Sequence, residues 1–424
     1  MLEPSMLEPS ITVRPVGEAD LELVVNLSRL AFAPLRSNEE VAREWYGSTP
    51  NLPDRKLFLA VDEAGRGMGG YAELDLGIFL AGRELPAIGI AGVAVALESR
   101  GQGVARLMLE TALKQAQAQE IPIAMLYPFQ HGFYRKLGWA WVGQPHQYRV
   151  SPRSLPKFQE PGLVPYSADQ HQALLQDLYR QVAPQRNGWL QRRSWQWEER
   201  LKPSNGKEIY VCVEAGTVQG YVIFQFTAEP RNSLSVVVQE WVASSSSAYR
   251  GILGFLAALR DQVATVVWNT DSSDPFPHLL KEQRRDPNLD SDAFRFGLTH
   301  RFGELGGGFM WRLVDLKRAL ELRSIPPGDP FVLTFQVFDP VLGRQTVTAE
   351  FAEGQIRCSN QSSAPQVKIS IEHLTALFAG VRRSTDLLWT GEIQVEGNSS
   401  EVQAVLTHLD MAWQTPSPFC WDFF

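Results

Sequence analysis

Cysteine is scarce: the 424 residues hold only Cys212, Cys358 and Cys420. Three thiols exclude a disulfide framework and a four-thiolate metal site, and they suit a reducing, cytoplasmic compartment. Long apolar runs are missing too. Stretches such as Ala87–Ala96 fall well short of the roughly 20 residues that span a bilayer, so no membrane span is expected. Basic charge is in deficit, with 40 Lys and Arg against 47 Asp and Glu, a formal net charge of −7 and a pI near 5.6. That sign argues against nucleic acid as a partner and favours cationic small molecules or peptides. The first ten residues write Met-Leu-Glu-Pro-Ser twice and carry neither the basic nor the apolar region of a signal peptide.

What is present is ordinary globular composition, 44% hydrophobic and 21% charged, with 33 Gly and 27 Pro spread along the chain. The length suggests two or three domains. Prolines interrupt Ser151–Gly162, and Gly306-Gly307-Gly308 and Pro326-Pro327-Gly328 interrupt the chain again. We place domains at 1–150, 151–300 and 301–424. The first block alternates: a strand at Ile11–Pro15, a helix over Leu21–Ala33, strands at Lys56–Val61, Gly70–Ala81 and Leu85–Ala96, then a helix from Gly103 to Ala118. Arg106, Glu110, Lys114 and Gln117 form one polar stripe on that helix, so its other faces pack on a sheet. The second block repeats the rhythm, with a last helix expected from Gly251. The third mixes the strands Phe331–Phe338, Gln345–Phe351 and Gln366–Ser370 with helices at Ile371–Phe378 and Ser399–His408.

The stretch Gly92–Arg106 carries the chemistry. A strand ends at Val93-Ala94-Val95-Ala96, a turn holds Arg100, Gly101 and Gly103, and an amphipathic helix starts at once. Glycine lets the backbone approach a ligand and adopt positive φ, and unpaired N–H groups at a helix start bind anions. This suits a pyrophosphate, although the same six residues would also serve as a tight turn with no ligand. The pattern is neither a Walker A loop nor the dinucleotide Gly-x-Gly-x-x-Gly fingerprint.

Arg100-Gly101-Gln102-Gly103-Val104-Ala105 resembles the Arg/Gln-x-x-Gly-x-Gly/Ala signature of the GNAT acetyltransferase superfamily, and Phe133-Tyr134-Arg135-Lys136-Leu137-Gly138-Trp139 resembles its Phe-Tyr-x-x-x-Gly-Phe motif. A shift of 148 residues lays Trp241-Val242-Ala243 over Val93-Ala94-Val95 and Gly251 over Gly103, with Ala248 and Tyr249 where Arg100 and Gly101 stand. The second block therefore reads as a GNAT-like copy without its phosphate cradle. Tandem GNAT folds followed by an α+β block resemble the Eis (enhanced intracellular survival) family of N-acetyltransferases. The implied fold is mixed α/β and α+β: two GNAT folds, the second degenerate, and a domain similar to sterol carrier proteins. Leu97, where the family often has proline, and Gly101, where it often has a basic residue, depart from the pattern.

The resemblance implies acetyl-CoA as co-substrate and no metal. The acceptor would be a primary amine on an aminoglycoside-like polyamine or a lysine side chain, and the assembly a homo-oligomer, a hexamer in the family. It assigns Val93, Ala94 and Val95 to the pantetheine arm. Arg100, Gly101, Gln102, Gly103, Val104, Ala105 and Arg106 fall on the pyrophosphate, with Phe129 and Gln130 beside the cofactor. Tyr134 becomes the general acid and the main-chain carboxylate of Phe424 the general base. A phenol near pKa 10 is protonated at neutral pH, as the acid role needs, whereas an α-carboxylate near 3.5 is a weak base unless burial raises it. Four aromatics in the last six residues make a docked, buried tail the expectation.

The alternative function is a lipid or small-ligand carrier, or an assembly protein, with vestigial GNAT domains. His131 reads as a hydrogen-bonded loop residue rather than a base. Asp271, Asp274 and His278 read as an ordinary loop, with Pro275 and Pro277 between them. Arg192, Arg193, Trp195 and Trp197 read as a helix packing its tryptophans inward.

Overall fold

The computed structural model describes residues 11–46, 52–160, 162–203, 206–229, 233–283, 303–359 and 365–424. The duplicated pentapeptide and the boundary expected near residue 300 lie outside them.

Among the described residues, three sheets organise the chain. The first runs β1 (Thr12–Pro15), β2 (Arg55–Val61), β3 (Gly67–Leu80), β4 (Arg83–Val95), β5 (Ile123–Leu126), β14 (Met310–Leu313) and β6 (Ala140–Trp141). Strands β3 and β4 form a long hairpin closed by Ala81 and Gly82, both at positive φ (49° and 81°), a two-residue turn whose twist matches the strands it joins. Side chains alternate across this sheet. Leu57, Leu59 and Ala94 pack with helix α1 (Leu21–Phe32) on one face, beside the single turn α2 (Asn38–Val41). Phe58, Ile88 and Ile90 pack with α3 (Val104–Ala118) and α4 (His131–Arg135) on the other. The expected stripe on α3 faces outward while Met108, Leu109 and Leu113 are buried, each such side chain contributing about 1.5–3 kcal/mol.

The second sheet runs β13 (Gly303–Leu305), β7 (His146–Val150), β12 (Val263–Thr270), β11 (Ser233–Ala243), β10 (Thr217–Glu229), β9 (Lys207–Glu214) and β8 (Val164–Pro165). Its helices are α5 (Ala168–Val182), α6 (Ser194–Leu201), α7 (Ser246–Ala258) and α8 (Phe276–Leu279). The third runs β17 (Gln355–Ser359), β16 (Gly343–Ala352), β15 (Phe331–Asp339), β18 (Gln366–Ser370) and β19 (Ile393–Val395), with α9 (Leu316–Leu322), α10 (Ile371–Phe378), α11 (Ser384–Trp389) and α12 (Ser399–Trp413).

Two strands sit apart from their sequence neighbours. Strand β7, before residue 150, belongs to the second sheet. Strand β14, after residue 300, pairs antiparallel with β5 through Trp311↔Met125 and with β6 through Trp311↔Ala140. The first and third units therefore share one core, in which Leu76, Ile78 and Trp311 meet Phe335, Leu374 and Trp413. On the other face of β14, the buried ion pair Arg312 Nη2–Asp339 Oδ1 (2.6 Å) joins that strand to the end of β15.

Candidate active site

The parallel pairing of β4 with β5 runs only from Ala87↔Ile123 to Ile90↔Leu126. Beyond it β4 continues along β3 alone, past an irregularity at Gly70/Ala72 and Gly92 at φ 57°. The two parallel strands thus splay at Ile90. The N–H of Ala96 donates to Met68 O at 2.9 Å. By strand alternation the N–H groups of Val95 and Val93 then face the open side of the splay and that of Ala94 faces β3.

Above the splay, Arg100 leads into Gly101 and Gly103, both at φ 78°, and Gly103 is the N-cap of α3. No side chain caps this helix, and a Cβ built on either glycine meets nothing within 4 Å. Bare N–H groups of Val104, Ala105 and Arg106 under open space, with Arg100 exposed beside them, fit a pyrophosphate. Gln102 braces the loop by donating to Glu98 O (2.9 Å), and Arg106 bonds Glu110 (2.6 Å).

Tyr134 is 2% exposed on α4, enclosed by Phe129, Phe133 and Trp139 in edge-on contacts. Burial alone pushes its phenol up to about 12. Phe129 is 71% exposed and Gln130, also exposed, is the N-cap of α4, so both line the surface above Tyr134. The tail docks at the same splay. Tyr127, which follows β5, packs its ring 5.6 Å from that of Phe424, and a Cβ on Gly89 would lie 2.9 Å from Phe424 Cε2. Gly89 and Ile90 point to opposite faces of the sheet. Tyr134 clusters with Ile90 and Phe424 packs with the core on the Gly89 side, so the two reach the splay from opposite faces.

The second sheet shows the same parallel pair, β11 with β12, but its gap is filled. Trp241 stacks on Trp268 (5.1 Å), which stacks on Phe276 (5.0 Å), with Tyr249 against Trp241. Asp274 accepts from Trp268 Nε1 (2.7 Å) and from the Tyr249 hydroxyl (2.6 Å). Asp271 is bonded to the Ser273 N–H, and no group of three or more His, Cys, Asp or Glu able to hold a metal occurs among the described residues. The expected equivalence of Gly251 with Gly103 is corrected here: α7 begins at Ser246, so Gly251 lies inside it. Only Ser244 and Ser245 separate β11 from α7, where Ala96–Gly103 separate β4 from α3. The cradle loop is absent, not merely substituted, and the Ser245 hydroxyl accepts the Ala248 N–H at 3.1 Å. The serine run at 244–247 signals that cap in the sequence.

Three residues outside the expected set belong to the site. The Tyr127 hydroxyl donates to Asp422 O at 2.7 Å. Asp422 is buried against Arg192, whereas Trp197 packs inward beside it as expected. Glu73, on β3 opposite Ile90, accepts from the Tyr71 hydroxyl at 3.3 Å. Burial pushes its carboxyl up to about 7, against the opposing pulls of that bond and of Lys56. The expectation of a hydrogen-bonded loop histidine is corrected: His131 opens α4, and its Nε2 is enclosed beside Trp141 with no hydrogen-bond partner among the described residues.

Comparison with known proteins agrees with this geometry. Residues 12–142 and 188–305 each match an acetyltransferase (GNAT) domain family, and residues 316–421 match a sterol carrier protein domain family. The N-acetyltransferase Eis of Mycobacterium tuberculosis and that of Mycobacterium bovis are each 24% identical over 87% of this chain and 89% of their own. The fold is shared with a GCN5-related N-acetyltransferase from Anabaena variabilis (TM-score 0.82, 22% identity, 98% of this chain and 100% of that one). It is shared also with Eis1 from Mycobacterium abscessus (TM-score 0.75, 19% identity, the same coverage). No helix among the described residues is long and apolar enough to cross a membrane. With two GNAT domains ahead of a sterol carrier protein domain, and Eis homology through most of its length, the chain is an Eis-like N-acetyltransferase of the GNAT superfamily.

Proposed function

We propose that the first domain transfers an acetyl group from acetyl-CoA to a primary amine of a cationic acceptor, an aminoglycoside-like polyamine or a lysine side chain. The observation that carries this is the docking of the tail and of Tyr134 at one splay from opposite faces of the sheet. Acetyl-CoA supplies the activated acyl carbon when bound. Gly101 to Arg106 and Arg100 hold its pyrophosphate through backbone N–H groups and positive charge, beside Phe129 and Gln130. The N–H groups of Val93 and Val95 hydrogen-bond the pantetheine arm, and one of this set is placed to stabilise negative charge on the carbonyl oxygen.

Tyr134 serves as general acid, because a phenol raised to about 12 keeps its proton at neutral pH and can donate it towards the departing sulfur. The Phe424 carboxylate takes the amine proton. The Phe424 ring is held against Tyr127, and an amine nitrogen that has joined the tetrahedral adduct is acidic enough for a carboxylate to accept its proton. The mildly acidic surface favours polycationic acceptors.

The test is thiol release from acetyl-CoA with a panel of polyamines, aminoglycosides and lysine peptides, using the full chain and a chain lacking Phe424. Release by the full chain with at least one amine, and loss of it in the truncation while acetyl-CoA binding survives, is the expected result. No release with any amine overturns the enzyme reading; full activity of the truncation overturns the base assignment.

A further inference from the structure

Four charges are enclosed where the second domain meets the tail. Side-chain exposures are 0% for Arg192, 0% for Glu240, 8% for Asp422 and 16% for Arg200. Arg192 reaches Asp422 with Nε, 2.9 Å from Oδ1 and 3.1 Å from Oδ2, and Glu240 Oε1 with Nη1 at 2.8 Å. Arg200 adds bonds to Trp421 O (2.6 Å) and Asp422 Oδ1 (3.2 Å) and pairs with Glu240 Oε2 at 3.1 Å. The Tyr221 hydroxyl also bonds Glu240, and the Arg192 guanidinium lies over the rings of Tyr179 (4.1 Å) and Trp197 (4.7 Å). Two cations balance two anions, so the set is neutral as a whole. Burial opposes the Glu240 charge, but Arg192 and Arg200 more than offset it and hold the carboxyl below its ordinary range.

The rest of the tail is held by the same stretch of chain. Asn187 donates to Pro416 O (2.8 Å) and Thr415 Oγ1 and accepts the Ala81 N–H at 2.9 Å, so one amide joins the β3–β4 turn, the second domain and the tail. Phe419 N donates to Asn187 O at 2.9 Å. Gly188, at φ 87°, leaves no room for a side chain, because a Cβ would sit 2.7 Å from Phe419 O.

We propose that Arg192 and Arg200, their charge balanced by Glu240 together with Asp422 itself, are positioning residues for acetyl transfer: by gripping Asp422 they fix the terminal carboxylate two residues further on at the splay of the first domain. This rests on the Phe424 reading above. Two residues of extended chain reach only about 7 Å. Asp422, held by its carboxylate to the second domain and by its carbonyl to Tyr127, therefore restricts Phe424 to a small volume. The second domain, whose own splay is packed with tryptophan, contributes to catalysis through this grip.

The test pairs Asp422→Asn with Arg200→Gln, which removes one charge of each sign and leaves Arg192 and Glu240 as a neutral pair. Asn187→Ala loosens the same tail without touching a charge and serves where the double variant does not fold. Each is measured for kcat, for acetyl-CoA dissociation constant by calorimetry, for release of the terminal phenylalanine by carboxypeptidase, and for rescue by added formate. The expected result is a kcat lower by about 10²-fold, the scale of a misplaced general base, with acetyl-CoA affinity unchanged, faster phenylalanine release and partial rescue by formate. A folded variant with a freed tail and wild-type kcat overturns the grip. If the chain lacking Phe424 is inactive in that case, the base assignment stands and only the grip falls; if it is active, the base assignment falls with it. A kcat loss that formate does not relieve and that comes with weaker acetyl-CoA binding marks a general structural defect and also overturns the proposal.

Discussion

The Tyr127 hydroxyl donates to the main-chain carbonyl of Asp422 at 2.7 Å, across 295 residues of sequence. This bond fastens the tail to the end of β5, where the parallel strands part. Replacing Tyr127 by Phe leaves that carbonyl only the weak Cys420 thiol as donor, at 3.4 Å. The expected loss is about 1 kcal/mol of stability, read by urea unfolding, together with a lower kcat in the thiol-release assay.

Tyr134→Phe removes a hydroxyl that makes no hydrogen bond to the described residues, so the melting temperature should change little. Activity should fall by about 10²-fold or more in kcat, with KM for acetyl-CoA unchanged. Because burial holds the phenol near 12, the free enzyme should show no alkaline loss from this group below about pH 11. A variant with wild-type kcat would remove Tyr134 from the mechanism.

Gly103 occupies the left-handed region with free space around it. Gly103→Ala should therefore cost about 1 kcal/mol through backbone strain rather than collision. The same change should raise KM for acetyl-CoA. Arg100→Ala, at an exposed position, should raise that KM without the stability loss, which separates charge from backbone shape.

Glu73 gives a pH signature. Its folded carboxyl titrates near 7 against 4.5 in the unfolded chain, so the folded state binds the extra proton. Stability from this group is full below 4.5 and is lost as pH rises to about 7, by at most about 3 kcal/mol. Melting temperatures of wild type and Glu73→Gln from pH 4 to pH 8 should diverge, with the variant the more stable at pH 8. Parallel curves would show that Glu73 titrates normally.

Arg312 and Asp339 are both fully buried, and Arg312 also donates to Leu137 O at 2.9 Å beside the Tyr134 motif. Arg312→Met should cost about 3–5 kcal/mol, because it leaves the buried Asp339 charge without its counter-charge. Joint replacement with Asp339→Leu should recover part of that loss in thermal unfolding, because no uncompensated charge remains, while Leu137 O loses its donor and the Val341 and Leu342 N–H groups lose their acceptor.

Local structure was legible and distant pairing was not. Gly101, Gly103 and the amphipathic period of α3 signal a strand, a glycine turn and a helix within a few consecutive residues. The aromatic tail was legible in part: Phe419 and Trp421 are buried as their composition suggests, whereas Phe424 is half-buried and Phe423 stands 79% exposed. Strand β14 carries no such mark: Met310–Leu313 is a short apolar run, and nothing local says that it pairs with a strand almost two hundred residues earlier. Arg192 misled for a related reason. An arginine among tryptophans looks like a surface patch or a helix face, and its burial depends on Glu240 and Asp422 arriving from elsewhere in the chain. The Gly251 equivalence failed because glycine identity was followed where the serine run marked the helix start.

The insertion of β14 between β5 and β6 has a consequence for biosynthesis. A ribosome must deliver the chain as far as Leu313 before the first sheet can close, so the earlier part emerges with β5 paired on its β4 side alone and with β6 unpaired. Vectorial folding, which usually completes the earliest unit first, is here held back by a late strand. A nascent or prematurely terminated product would expose those edges to chaperones and proteases, and excising residues 1–150 should yield an aggregating fragment rather than a minimal enzyme.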